Sequence, residues 1–131
     1  MSYSFKSETV TGTTTDAGAA TIRLTKTTLG YDPALLHAQH TIQTTIASGS
    51  WALQGLGPNG VAMDLVTGCD ANDLIMVGPK GLSTLGTGPT IADMGQNAAA
   101  YFRFSEYRIV VAGGGDEQSV TVHIRSDAVA W

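Results

Sequence analysis

The chain has 131 residues, 43% of them apolar, which is one domain's length and enough to bury roughly two thirds of the surface the unfolded chain exposes. Only 14% are charged, against a usual ~25%, and the net charge is −4 with a pI near 5.1. Without a cluster of Lys or Arg there is no basic face to displace phosphate counterions, without a run of about 18 apolar residues there is no helix to cross a membrane, and the apolar content is too high for a disordered chain.

Residues 1–6 lack the apolar stretch of a signal peptide, so the chain is expected to be made and kept in a cytoplasm until the cell lyses. Residues 3–10 alternate weakly, with Tyr3 and Phe5 on one parity, and residues 11–18 are polar with nothing to pack. Residues 11–18 read as a flexible loop or as a mobile arm that orders on a neighbouring subunit, so residues 1–18 are expected to form an N-terminal arm or an edge strand. Residues 19–131 are expected to form a single β-sandwich domain.

In residues 20–29, Ile22 and Leu24 face one way and Arg23, Thr25 and Thr27 the other, the pattern of a half-buried strand. Gly30, Tyr31, Asp32 and Pro33 break it. Asp32 followed by Pro33 suits a single helical turn over residues 34–37, with an extended run into the next strand as the competitor. His40, Ile42, Thr44 and Ile46 then share one strand face, with Thr41, Gln43 and Thr45 on the other. After a turn or bulge at residues 47–50, Trp51 and Leu53 mark the next strand. Gly57, Pro58, Asn59 and Gly60 form a tight hairpin turn, because proline presets φ and glycine takes positive φ. Val61, Met63 and Leu65 leave that turn on one face.

Residues 67–72 read as a loop and residues 73–77 as a short strand covered on both sides. Residues 78–97 are glycine-rich and irregular, with Leu82, Leu85, Ile91 and Met94 as a weak apolar set. A loop this long in a compact domain is functional or disordered, and its apolar residues suit packing onto a partner. In the last third Phe102 and Phe104 alternate with Arg103 and Ser105. Tyr107, Ile109 and Val111 alternate with Arg108 and Val110, and Val120, Val122 and Ile124 with Thr121, His123 and Arg125, across a loop at residues 113–117. The closing Trp131 is expected to pack on a sheet edge or another subunit. Eight or nine short strands with turn signals about every ten residues predict an all-β chain, an antiparallel β-sandwich or jelly-roll-like barrel with at most one short helix.

Little in this pattern carries chemistry. His37 and His40 would share a helix face and could supply half of a metal site, but no Cys or carboxylate stands nearby to complete it, and surface polar residues are the plainer reading. Copies around a symmetry axis would be needed. His123 falls on the outward face of its strand. Asp70, Asn72 and Asp73 give part of a calcium shell without its spacing and suit Asx-turns better. Cys69 reads as a buried hydrophobe, since no basic group stands beside it to activate it. The glycines of residues 55–60 lack the Lys-Ser/Thr and helix of a phosphate loop. Trp51, Tyr101 and Tyr107 could stack on sugars, but their strand positions suit a core. No cofactor, metal or catalytic set is therefore expected.

Several segments resemble small tailed-bacteriophage virion proteins: residues 41–46, residues 50–55, the turn at Pro58, Asn59 and Gly60, and residues 107–115 leading into residues 119–124. The resemblance spans about residues 40–66 and 99–126. It implies a compact β-sandwich that decorates or cements a capsid, or sits in a tail or head-fibre assembly. No functional residue transfers with it. The implied protein is non-enzymatic, forms a homo-oligomer and binds the major capsid protein or another virion protein. Apart from the resemblance, the N-terminal arm, the glycine-rich loop and the terminal tryptophan are candidate contact surfaces, with Tyr3, Phe5, Leu82, Leu85, Ile91 and Trp131 as the expected contacts. A carbohydrate-binding or adhesin module is the alternative, and an enzyme the least expected.

Overall fold

A computed structural model describes residues 2–13, 20–25, 38–78, 81–91, 104, 106–115 and 117–130. Among the described residues ten strands follow in order: β1 (Ser2–Thr13), β2 (Ala20–Leu24), β3 (Ala38–Thr45), β4 (Ser50–Leu56), β5 (Ala62–Cys69), β6 (Leu74–Gly78), β7 (Gly81–Leu85), β8 (Thr90–Ile91), β9 (Tyr107–Ala112) and β10 (Ser119–Ala130). They form two five-stranded sheets, ordered β1-β10-β3-β6-β7 (sheet A) and β2-β9-β4-β5-β8 (sheet B). Every strand pairing is antiparallel. The fold is an antiparallel β-sandwich, as alternation in the sequence predicts.

The pairing has a nested form. β4 pairs with β5, β3 with β6, β2 with β9 and β1 with β10, so the chain folds back on itself as one long hairpin. The pairings β10–β3 and β9–β4 then roll that hairpin into two sheets. This winding is the jelly roll. β7 and β8 are additions between β6 and β9, each widening one sheet by a strand.

Period-two alternation builds the core. Along β4 burial alternates from Trp51 to Leu53 to Gly55, and along β9 from Tyr107 to Ile109 to Val111. The side chains of Trp51, Leu53, Tyr107, Ile109 and Val111 share one core with Ile42, Ile75, Val77, Val120, Val122 and Ile124 of sheet A. Placing such residues between two sheets removes apolar area from water at about 25 cal/mol per Å².

Three local expectations change. Residues 78–97 are not wholly irregular, since β7 and β8 lie within them. β1 runs to Thr13, three residues into the stretch expected to be loose, because its backbone pairs with β10 along its length. Val61 and Met63 are exposed while Leu65 is buried, although alternation puts all three on one face. The register shift after Leu53 pairs Leu53 with Val66 but Gln54 with Asp64, which leaves Leu65 as the extra residue of a bulge, buried beside Val66, while Met63 pairs with Gly55 nearer the strand's start. The turn at residues 57–60 is as expected. Gly60 has φ +84° and donates to the Gly57 carbonyl at 2.9 Å, and Val61 N donates to Asn59 Oδ1 at 3.1 Å. The helical turn at residues 34–37, and the alternation at Phe102 and Arg103, lie outside the described residues. Phe104 is buried ahead of β9.

Candidate functional site

Among the described residues, the polar groups that could act chemically fall into three clusters. The first lies between the sheets. His40 of β3 pairs in register with Ser126 of β10 and Val77 of β6, on the inner face. It is fully buried, not at the surface as expected. Its Nδ1 shares a 2.8 Å hydrogen bond with Ser126 Oγ, and its ring stands edge-on to Tyr107 with centroids 6.4 Å apart. Among the described residues Nε2 has no partner. Burial lowers its pKa to about 4, so the ring is neutral at pH 7. Burial also pushes Tyr107 up to about 12. A serine beside an imidazole is the start of a nucleophile–base pair. Here both side chains are sealed from solvent and the imidazole is a poor base, so the contact joins β3 to β10.

The second cluster is at the edge of sheet B. Glu106, just ahead of β9, is nearly buried and lies between two arginines. Arg23 of β2 donates to Oε1 from Nε at 3.1 Å and from Nη2 at 2.7 Å, and Arg108 Nε donates to Oε2 at 2.7 Å. Those bonds hold Glu106 down at about 2, which keeps it ionised and unsuited to general acid chemistry. Arg23 and Arg108 are direct cross-strand neighbours. The carboxylate is what lets two like charges sit side by side. Nothing local in the sequence joins Arg23 to Glu106, which stand 83 residues apart.

The third cluster is the turn between β5 and β6. Asp73 Oδ2 accepts from Asp70 N at 2.7 Å, Asp70 Oδ1 accepts from Asn72 N at 2.8 Å, and the Asp70 carbonyl accepts from Trp51 Nε1 at 2.6 Å. This is the Asx-turn chemistry that the residues suggest. Asp73 is buried beneath the loop after β7. At Gly86, where φ is +128°, a Cβ would collide with the Asp73 carboxylate. Cys69 lies in the core beside this turn. Burial, with the charges of Asp73 and Asp70, pushes its thiol up to about 12, so it stays protonated and unreactive at neutral pH.

The expected contact residues separate. Leu82 belongs to the core and cannot serve as a free contact. Ile91 is half-buried against the core. Leu85 on edge strand β7 is 61% exposed. The register pairs Tyr3 with Val129 and Phe5 with Asp127, which places both on edge strand β1. His37, Tyr101 and Trp131 lie outside the described residues. Trp51 and Tyr107 are core side chains, as their strand positions suggest. His123 is exposed, and its Nε2 lies 2.9 Å from Thr45 Oγ1 on the outer face of sheet A.

The outer face of sheet B holds a feature that the sequence does not display. Register aligns Arg23, Arg108, Gln54 and Asp64 in one row across β2, β9, β4 and β5. Gln54 Nε2 donates to Asp64 Oδ1 at 2.9 Å. Beside that row, Thr21, Val110 and Ala52 form a second row of small side chains. Along the row, positive charge stands at one side and negative at the other.

No protein-family model and no curated protein matches this chain. Among solved structures the chain is similar to one described under "Bacillus endospore appendages form a novel family of disulfide-linked pili". The TM-score is 0.41 at 13% identity, over 98% of this chain and 89% of that one. A likeness of that size carries no argument about function.

Proposed function

We propose that the chain is a non-enzymatic structural protein of a phage virion, a homo-oligomer that docks on the major capsid protein and stabilises the shell. Placement on a tail or tail tube is the variant of the same reading. The observation that carries it is the rolled, nested-hairpin winding of two sheets, an architecture used by viral shell and lectin domains. Fold alone does not set function. The surface chemistry adds support: charged residues are few, Val61, Met63 and Leu85 are exposed, and His40, Glu106 and Cys69 are all held in states unsuited to turnover. The carbohydrate-binding alternative needs aromatic rings at the surface, and Trp51 and Tyr107 do not supply them. The test is sedimentation of the purified protein, alone and with assembled phage shells. Multimers that co-sediment with shells and raise their resistance to heat are expected. A strict monomer that ignores shells and tails would overturn the reading.

A further inference from the structure

We infer that the outer face of sheet B is a self-complementary docking face for a second copy of this chain. The inference rests on the assembly reading above and gives it a surface. The row Arg23, Arg108, Gln54 and Asp64 crosses four adjacent strands in that order. A two-fold axis along the strand direction, between β9 and β4, lays this face on its copy and reverses the row. Arg23 then meets Asp64 of the second copy, and Arg108 meets its Gln54. Both contacts occur twice, as an isologous interface requires.

The side chains suit such a contact. Arg23 is already held by Glu106, so its orientation is set, yet 66% of its side chain remains exposed. Asp64 is exposed and is held by Gln54 through one oxygen. The neighbouring row of Thr21, Val110 and Ala52 is short enough for two sheets to approach to about 10 Å. Twisted sheets pack at about 30°, which displaces the row ends by only about 4 Å, within an arginine's reach. Four strands at about 4.8 Å and six residues at about 3.3 Å give a face of roughly 19 by 20 Å. That is smaller than the ~800 Å² per partner of a standard interface, so the dimer is weak and concentration-dependent. On a repeating surface, weak contacts of this kind add.

Sedimentation velocity over a wide concentration range, at low and high salt, tests the inference. The wild-type chain is expected to form a dimer, alone or as a unit of a larger oligomer, that weakens as salt screens the charge pairs. Asp64→Lys sets two cations together at both ends and is expected to weaken dimerisation at least tenfold. Ala52→Arg holds the sheets apart and is expected to abolish it. Gln43→Lys, on the outer face of sheet A, is expected to change nothing. Circular dichroism and melting checks that each variant folds. Folded Asp64→Lys and Ala52→Arg variants that associate like the wild type would overturn this interface and leave the assembly reading standing on another surface. A wild-type chain that stays monomeric throughout would overturn the interface. If it also failed to bind shells, the assembly reading would go with it.

Discussion

His40 is paid for by its neighbours at neutral pH and becomes a liability in acid. Folded, its pKa is about 4; unfolded, it returns to about 6.5. Between those values the unfolded chain binds the extra proton, so stability is complete above about pH 6.5 and falls as pH drops toward 4. The loss is on the order of 3 kcal/mol across that window. His40→Asn can keep the bond to Ser126 Oγ but cannot titrate. It is expected to be less stable than wild type at pH 7 by about 1–2 kcal/mol, from the space it leaves. Urea denaturation at pH 7, 6, 5 and 4 is expected to show the wild-type advantage shrinking and then reversing. Parallel curves for the two proteins would contradict it. Glu106 titrates lower. Its pKa is depressed to about 2 by the bonds from Arg23 and Arg108, so its contribution is present above about pH 4.5 and is lost as pH falls through 2. Glu106→Gln leaves the two arginines adjacent without a counter-charge. It is expected to unfold at lower urea than wild type at pH 7, with the two midpoints converging between pH 4.5 and 2.

Among the elements, β1 carries the edge of sheet A, paired along twelve residues with β10 and with nothing on its other side among the described strands. Deleting residues 2–13 turns β10 into an open edge. The shortened chain is expected to aggregate at concentrations where the full chain stays dispersed, read by light scattering. If it stayed dispersed and melted at the same temperature, β1 would be an accessory to the fold. Most of the elements were legible because alternation is a local signal: Trp51 and Leu53, Tyr107 to Val111, and Val120 to Ile124 each name their buried face. β7 was not, because glycines bound it and its two leucines fall on opposite parities, Leu82 buried and Leu85 exposed, so no apolar alternation marks its inner face. The inward course of His40 was visible in its parity with Ile42 and Ile46, but polarity argued for the surface. The Arg23–Glu106 clamp and the row from Arg23 to Asp64 had no local signal at all, since both arise from register between distant strands.

For the whole molecule, the nested winding fixes an order of entropic cost. β4 and β5 are joined by the short turn at residues 57–61, whereas β1 and β10 are joined through nearly the whole chain. Loop closure is cheapest for the inner hairpin and is already largely met for the outer strands once the inner ones pair. A fold dominated by such distant pairings is expected to fold in milliseconds to seconds. Leu53 lies in the inner hairpin, paired with Val66 and Ile109, and Val122 in the outermost layer, paired with Val10 and Thr44. Both are fully buried, so truncation to alanine should cost each about 2–4 kcal/mol at Leu53 and somewhat less at Val122. Stopped-flow refolding separates them. Leu53→Ala is expected to slow folding, because its contacts form in the transition state, while Val122→Ala is expected mainly to speed unfolding. The opposite assignment would mean that the terminal strands meet first, and that the roll closes from its rim inward.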